Sequence, residues 1–144
     1  MKNNPTIFFF SFRFIILLIV LIGLFGCSLG FEWHDIAPTS FLNTWTNVGG
    51  AYETAGYGKD DLGFVHLKGW VRDTSYAAYA SMFVLPSGYR PDSTLVISVY
   101  VGSMADTNGY VYIYNDGSVA LYVPIIASST VTAPLDGIVF YAEQ

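Results

Sequence analysis

Residues 64–71 constrain the fold of this chain more than any other stretch of its sequence. Side chains there alternate between an apolar face and a polar or aromatic face: Val65, Leu67 and Val71 against His66, Lys68 and Trp70. This period of two is typical of a half-buried β-strand. Turn-forming residues at 59–63 precede it, so we expect the chain to reverse there from an earlier extended segment at 51–58.

Further β-rich segments follow at regular spacing. Residues 94–101 alternate strictly, with Leu95, Ile97, Val99 and Val101 on one face. Asp116-Gly117 lies between two β-rich arms within 109–123 and suits a two-residue primed turn, which would place Tyr112 opposite Leu121. In that register Val111 and Ile113 share the other face with Ala120 and Tyr122. The loop 85–91 holds two prolines and should cross the end of a sheet. Residues 138–141 are expected to form a closing strand.

Because no amphipathic helix is evident after the apolar N-terminal segment, the sequence predicts an all-β fold. We expect an antiparallel β-sandwich, jelly-roll-like, of about seven or eight short strands, preceded by one hydrophobic N-terminal helix. The predicted organisation is a signal peptide or signal anchor at 1–27, a connector at 28–44 that lies against the domain, and the β-sandwich domain at 45–144.

The N-terminal segment has the pattern of a leader. Lys2 and Arg13 precede an uncharged apolar run at 14–26. That run is shorter than the roughly twenty apolar residues needed to span a bilayer, which favours a signal peptide. Counted from Ile7, the apolar zone approaches spanning length, so an uncleaved signal anchor is the alternative. Either way we expect an exported protein, extracellular or anchored to a membrane through this segment.

The leader ends at Cys27, the only cysteine in the chain. Leu24-Phe25-Gly26-Cys27 resembles the lipobox of bacterial lipoproteins, which implies lipidation at Cys27; the bulky Phe25 departs from the small residue usual there. The alternative is that Cys27 is one more small hydrophobe in an apolar helix. With one cysteine, the folded part can form neither an internal disulfide nor a thiolate metal site.

The charge balance argues against nucleic acid as a partner. The chain has a formal net charge of −5, and only 12% of its residues are charged. Two of the six basic residues, Lys2 and Arg13, lie in the leader. Phosphate binding needs a basic surface, which the remaining sequence lacks.

The sequence predicts no catalysis, no cofactor and no metal. His66 shares a strand face with Lys68, and His34 precedes Asp35, but neither has a nucleophile or a metal-ligand spacing beside it. We expect His66 to be structural. The oxygen-rich segments 106–109 and 115–118 lack the spaced acidic residues of a calcium loop, so turn formation explains them better.

The eleven tyrosines all follow Gly50, and several flank a polar tip at 102–109. Sugars stack on aromatic rings, while polar groups nearby bind their hydroxyls. Packing in the core or between subunits is the alternative use of such tyrosines, and we favour it. The candidate ligand-binding residues are Ser103, Asp106, Asn108, Tyr110, Tyr112 and Tyr114, of which the tip residues are favoured because loops on a rigid scaffold can vary.

Several sequence words resemble the C-terminal domain of bacteriophage tail-fibre and related receptor-binding proteins. The length of the chain indicates a single domain. The words run in order over about a hundred residues of it: Trp45-Thr46-Asn47, Gly49-Gly50, Lys59-Asp60, Val65-His66-Leu67, Leu85-Pro86-Ser87-Gly88-Tyr89-Arg90-Pro91 and Leu135-Asp136-Gly137-Ile138. The resemblance implies a β-sandwich that assembles as a homotrimer and attaches to a cell surface, often through saccharide. Such domains usually end a long fibre, whereas this one follows a leader.

Two functions remain open from the sequence. The first is a non-catalytic binding module that recognises a surface glycan or a protein receptor. The second is a membrane-tethered structural or decoration protein whose β-domain mainly associates with itself.

Overall fold

The computed structural model of the protein describes residues 31–102, 107–124 and 130–142. The predicted leader helix and Cys27 lie outside these ranges. The described part contains a short 3₁₀ helix at Pro38–Ser40 and eleven strands. The strands are β1 (Glu32–Asp35), β2 (Trp45–Asn47), β3 (Gly56–Lys59), β4 (Phe64–Lys68), β5 (Trp70–Asp73), β6 (Ser81–Val84), β7 (Leu95–Val101), β8 (Thr107–Ile113), β9 (Ser118–Tyr122), β10 (Val131–Pro134) and β11 (Val139–Tyr141).

The strands form three antiparallel sheets, which confirms the predicted all-β sandwich. The β4 sheet has the order β1-β3-β4-β11, the β5 sheet β10-β5-β2, and the β8 sheet β6-β9-β8-β7. Gly102, at the end of β7, exchanges two backbone hydrogen bonds with Thr132 in β10, so the β8 and β5 sheets are linked at their edges. The loop 85–91 joins β6 to β7, the two edge strands of the β8 sheet, and so crosses that sheet as predicted.

One hydrophobic core lies among the three sheets. Its members are inward residues of most strands and residues of the connecting segments, such as Ile36, Ala55 and Leu85. Burial of their side chains supplies the main stabilising free energy. The core residues from the sheets include Val65, Leu67, Phe140, Val71, Val131, Ala133, Val111, Ile113, Val119 and Leu121. The strict alternation predicted for 94–101 is confirmed in β7, where Val96, Ser98 and Tyr100 are exposed.

The predicted continuous strand over residues 64–71 is wrong in one respect, because Gly69 divides it. β4 ends at Lys68 and β5 begins at Trp70, and the two belong to different sheets. Gly69 has φ +90°, and a Cβ there would lie 2.5 Å from the backbone nitrogen of Ala55. Only glycine suits both constraints, so this position forms a corner. The corner turns one predicted strand into two, so it accounts for one of the strands beyond the predicted seven or eight.

Two other segments differ in detail from expectation. Residues 31–44, within the predicted connector, supply β1, which pairs with β3 from Glu32↔Lys59 to Asp35↔Gly56. The extended segment predicted before the 59–63 turn begins only at Gly56. Between β5 and β6 the chain is irregular over residues 74–80.

Candidate functional site

The hairpin of β8 and β9 places the three predicted ligand-binding tyrosines on one surface. Its register differs by one residue from the prediction: Tyr112 pairs with Ala120, and Val111 pairs with Leu121. The loop has three residues, because Tyr114 donates to the carbonyl of Ser118 through its N–H. Gly117 follows the turn with φ +92°, which is a glycine bulge.

This register sorts the hairpin into a buried face and an outward face. Val111, Ile113, Val119 and Leu121 point into the core and are fully buried. The tyrosines point the other way. The predicted register mixed aliphatic and aromatic residues on both faces, so the separation was not foreseen. We use the name tyrosine face for the surface formed by Tyr79, Tyr110, Tyr112, Tyr114 and Tyr122.

The rings of the tyrosine face contact one another. Tyr79 stacks on Tyr122 with ring centroids 4.7 Å apart and planes inclined by 11°. The same ring meets Tyr112 edge-on at 5.3 Å. Tyr110 lies 6.4 Å from Tyr122, and Tyr114 lies 6.0 Å from Tyr112, each in a stacked arrangement. Offset-stacked and edge-to-face pairs are the favoured aromatic geometries, so the rings hold each other in place.

Tyr79 reaches this surface from the irregular segment before β6. Its φ is +61°, a left-handed conformation that is an outlier for a bulky residue. Its N–H donates to the carbonyl of Leu121 at 3.0 Å, which fixes the backbone beside β9. Partial desolvation by the surrounding rings, followed by the hydrogen bond with Tyr112, raises the pKa of Tyr79.

The outward positions of the described strands β7, β8 and β9 carry no charged side chain. They are Val96, Ser98, Tyr100, Asn108, Tyr110, Tyr112, Ser118, Ala120 and Tyr122. Tyr100 is 50% exposed and lies opposite Asn108 in the register. The surface is thus aromatic, uncharged and rich in hydroxyl groups.

The structure brings together four of the six predicted ligand-binding residues. Asn108, Tyr110 and Tyr112 lie at successive outward positions of β8, and Tyr114 stacks on Tyr112. Ser103 and Asp106 lie outside the described residues. Tyr79 and Tyr122 were missed, since the shifted register assigned Tyr122 to the aliphatic face and nothing local marks Tyr79.

A second outward surface lies on the β4 sheet. Lys68 Nζ is 2.9 Å from Asp35 Oδ1 and 5.1 Å from the ring centroid of Trp33. Phe31 packs edge-on against Trp33 at 4.7 Å. We call this surface, with Phe64, Val139 and Tyr141, the Trp33 face. Its members are at least a third exposed, apart from Lys68.

The two histidines are engaged in contacts within the fold. His66 Nε2 lies 3.1 Å from Asp60 Oδ2. Asp60 also accepts hydrogen bonds from the N–H groups of Leu62 and Phe64, at 3.0 and 2.9 Å, so it closes the turn before β4. The hydrogen bond from His66 and these two N–H groups lower the pKa of Asp60. His34 Nε2 is 3.0 Å from the hydroxyl of Tyr89.

The oxygen-rich segment 115–118 is used as a turn. Asp116 Oδ1 accepts the N–H of Ser118 at 2.8 Å, and hydrogen bonds with Ser118 lower the pKa of Asp116. Across the described ranges, no group of three or more histidine, cysteine or acidic side chains could hold a metal ion. Nor does any helix within 31–102, 107–124 or 130–142 have the length and apolar character needed to cross a bilayer.

A pocket near Tyr57, Phe83 and Asp35 has a volume of about 140 Å³. Sites for small molecules are usually concave and about 300–1,000 Å³ in volume. This pocket is therefore a poor candidate for a small-molecule site.

Comparison with known proteins gives a similarity in fold. No protein-family model matches the chain, and no curated protein matches its sequence. Its structure is similar to the crystal structure of the receptor binding protein (gp15) of Listeria phage PSA, with a TM-score of 0.70. The chain shares its fold with a phage receptor-binding protein. The alignment covers 99% of this chain and 82% of that one, at 16% sequence identity. The fold expected from the tail-fibre resemblance is thus supported, while the low identity leaves function to be argued from the site.

Proposed function

We propose that this chain is a non-catalytic receptor-binding module that attaches its carrier to a cell surface. The observation that carries the proposal is the tyrosine face: an uncharged cluster of at least partly exposed tyrosines, packed ring against ring on the β8–β9 hairpin and the segment before β6. Monomeric proteins rarely expose contiguous apolar patches without a binding role. Tyrosine is also enriched where binding free energy is concentrated.

The similarity in fold to a phage receptor-binding protein supports this function. The bound receptor would be a surface glycan or a protein. Asn108, Tyr110, Tyr112 and Tyr114 would contact it, and Ser103 and Asp106, which precede β8 in the sequence, are further candidates. Nucleic acid is not expected, since the tyrosine face has no basic residue in its described part.

The experiment is to measure binding of the fluorescently labelled full chain to a panel of intact bacterial cells. We expect saturable binding to some strains, and a loss of at least about tenfold in affinity for Tyr112→Ala, because an anchor tyrosine is removed. Tyr52→Ala is the matched control, since Tyr52 is 51% exposed and lies outside the tyrosine face. Equal binding by both variants, or no saturable binding to any strain, would contradict the proposal.

Self-association is the second candidate, and the Trp33 face supports it. Phe64 and Tyr141 stack edge-on at 5.6 Å, and Val139 beside them is 46% exposed. A homotrimer formed through this face would leave the tyrosine face free, because the two surfaces are on different sheets. Light scattering on the full chain gives its mass in solution. Val139→Lys should lower an oligomeric mass, whereas Val96→Lys on the β8 sheet should not.

For the leader, we propose export and attachment to a membrane, with Cys27 lipidated or the segment retained as a signal anchor. Intact-mass measurement of the protein from a bacterial host, with and without Cys27→Ser, tests this. A diacylglyceryl mass lost on substitution supports lipidation. A mass equal to that of the full, unmodified chain supports a retained signal anchor. The mass of a shorter, unmodified chain supports cleavage and secretion into the medium.

A further inference from the structure

The backbone of Tyr79 is strained, and the fold maintains that strain. A left-handed conformation costs a residue with a Cβ about 1–2 kcal/mol. Tyr79 keeps it through the hydrogen bond from its N–H to Leu121 and the adjoining turn, in which the N–H of Ala80 donates to the carbonyl of Ala77 at 3.1 Å. Strained residues persist where the surroundings over-determine them, and they are concentrated at ligand sites.

This conformation places the ring of Tyr79 over β9, where it joins the hairpin tyrosines into one surface. One side of the ring covers Tyr122, and its edge meets Tyr112. The side chain remains 48% exposed, and Tyr110 nearby is 37% exposed. A ligand that approaches the β8 sheet from solvent therefore meets ring faces that are already ordered, so little side-chain entropy is lost on binding.

The chemistry of the surface restricts the ligand. Ring faces bind the C–H faces of sugars, while phenol hydroxyls and the Asn108 amide can donate to or accept from sugar hydroxyls. The outward strand positions have no charge to complement a charged ligand. Five phenol hydroxyls in a small area disfavour an apolar partner, because each hydroxyl buried without a hydrogen bond costs free energy.

We infer that the tyrosine face binds a neutral saccharide, with a sugar ring stacked on Tyr79. The inference rests on the proposed receptor-binding function and names its ligand class. It also adds Tyr79 and Tyr122 to the residues that contact the receptor. A second copy of this chain is the other occupant that such a face can take, and solution mass separates the two.

The test uses the full chain in a detergent without a sugar headgroup. The probes are two sets of bacterial-type oligosaccharides, one of neutral hexoses and N-acetylhexosamines and one of sialylated or sulfated sugars. Binding is followed by saturation-transfer NMR and calorimetry. We expect a neutral oligosaccharide to bind, with saturation transferred from tyrosine protons.

Tyr79→Gly is the informative variant, because glycine accepts the left-handed backbone and removes only the ring. We expect its affinity to fall about tenfold, the loss of one aromatic contact. Tyr52→Ala should bind as the unmodified chain does. The three tryptophans, Trp33, Trp45 and Trp70, lie on β1, β2 and β5, so tryptophan emission should not change on binding. An unchanged melting temperature for Tyr79→Gly shows that the fold is intact.

Several results would overturn the inference. Binding of acidic sugars alone would exclude the neutral class. Saccharide binding that shifts tryptophan emission and is unaffected by Tyr79→Gly would place the ligand elsewhere. A lower solution mass for Tyr79→Gly, with unchanged sugar affinity, would assign the face to a second copy. If cells are bound through a protease-sensitive receptor and no saccharide binds, the inference fails while the proposed function stands.

Discussion

Asp136 Oδ1 accepts a hydrogen bond from the backbone N–H of Gly69 across 2.8 Å. The bond joins the turn before β11 to the corner between β4 and β5. In return, Gly69 accepts at its carbonyl the N–H of Leu135, also at 2.8 Å. Two segments far apart in sequence are thereby fixed where the chain passes from one sheet to another.

Removal of the Asp136 side chain should destabilise this corner. We expect Asp136→Ala to lower the free energy of unfolding by about 1–2 kcal/mol, because the Gly69 N–H loses its acceptor. Asp136→Asn keeps an acceptor oxygen and should cost less. Urea denaturation of both variants gives the comparison. Equal losses would mean that the charge of Asp136 matters and the hydrogen bond does not.

Gly69 itself should tolerate no side chain. Gly69→Ala meets both the left-handed φ and the backbone of Ala55, so we expect a loss of about 3 kcal/mol or more in unfolding free energy. Gly88→Ala is the matched control, since Gly88 has φ +86° with open space around a Cβ. It should lose only about 1–2 kcal/mol, from the backbone conformation. Thermal and urea unfolding measure both, and similar losses would show that the corner is not tightly packed.

The hydroxyl of Tyr76 should contribute to stability and to its pH dependence. It donates to the carbonyl of Leu121 at 3.1 Å and accepts the N–H of Val123 at 2.9 Å. Tyr76→Phe should therefore cost about 1 kcal/mol at neutral pH. Tyr52→Phe, at an exposed position, should be neutral. Denaturation at pH 7 measures both, and an equal cost would argue against the bridge.

Burial raises the pKa of Tyr76 above its ordinary value of 10.0. Its contribution to stability is thus complete below pH 10 and is lost as the pH rises through the folded-state value. We expect the unmodified chain to lose stability above pH 10 more steeply than Tyr76→Phe. Denaturation between about pH 8 and pH 11 compares the slopes.

Asp60 should contribute to the fall in the free energy of unfolding at acidic pH. Its folded-state pKa lies below the ordinary value of 3.8, chiefly through the hydrogen bond with His66. Its contribution is therefore present above pH 3.8 and is lost as the pH falls through the lowered value. Asp60→Asn should be less stable at neutral pH and should lose less on acidification. Denaturation from neutral pH to below pH 3 tests this, and parallel acid limbs for the two proteins would contradict it.

The sequence predicts correctly those parts of the fold that depend on residues close together in the chain. The alternation over 94–101 determines β7, because each side chain faces core or solvent according to its own position. The turn residues predict the position of the hairpin at 109–123 correctly, but they do not determine its register. Asn115-Asp116-Gly117 suits a three-residue loop with a glycine bulge as well as a two-residue turn, since both need a positive φ at glycine.

The rest depends on contacts distant in sequence. Gly69 bends the chain because Ala55, Leu135 and Asp136 surround it, and no neighbour in sequence indicates this. The left-handed backbone of Tyr79 is set by Leu121 and by stacking on Tyr122. The candidate site was therefore predicted through its β8 residues alone. Its remaining rings became evident once the register placed every hairpin tyrosine on one side.

Along β8, neighbouring residues serve separate purposes: Val111 and Ile113 fill the core, while Tyr110 and Tyr112 meet the surroundings. A substitution at an outward position changes what the surface contacts without opening a cavity. A few substitutions at outward positions of one hairpin can thus change which partner is preferred, while the core and the fold stay the same. Among related chains, we expect differences in what this surface contacts to be found at these alternate positions.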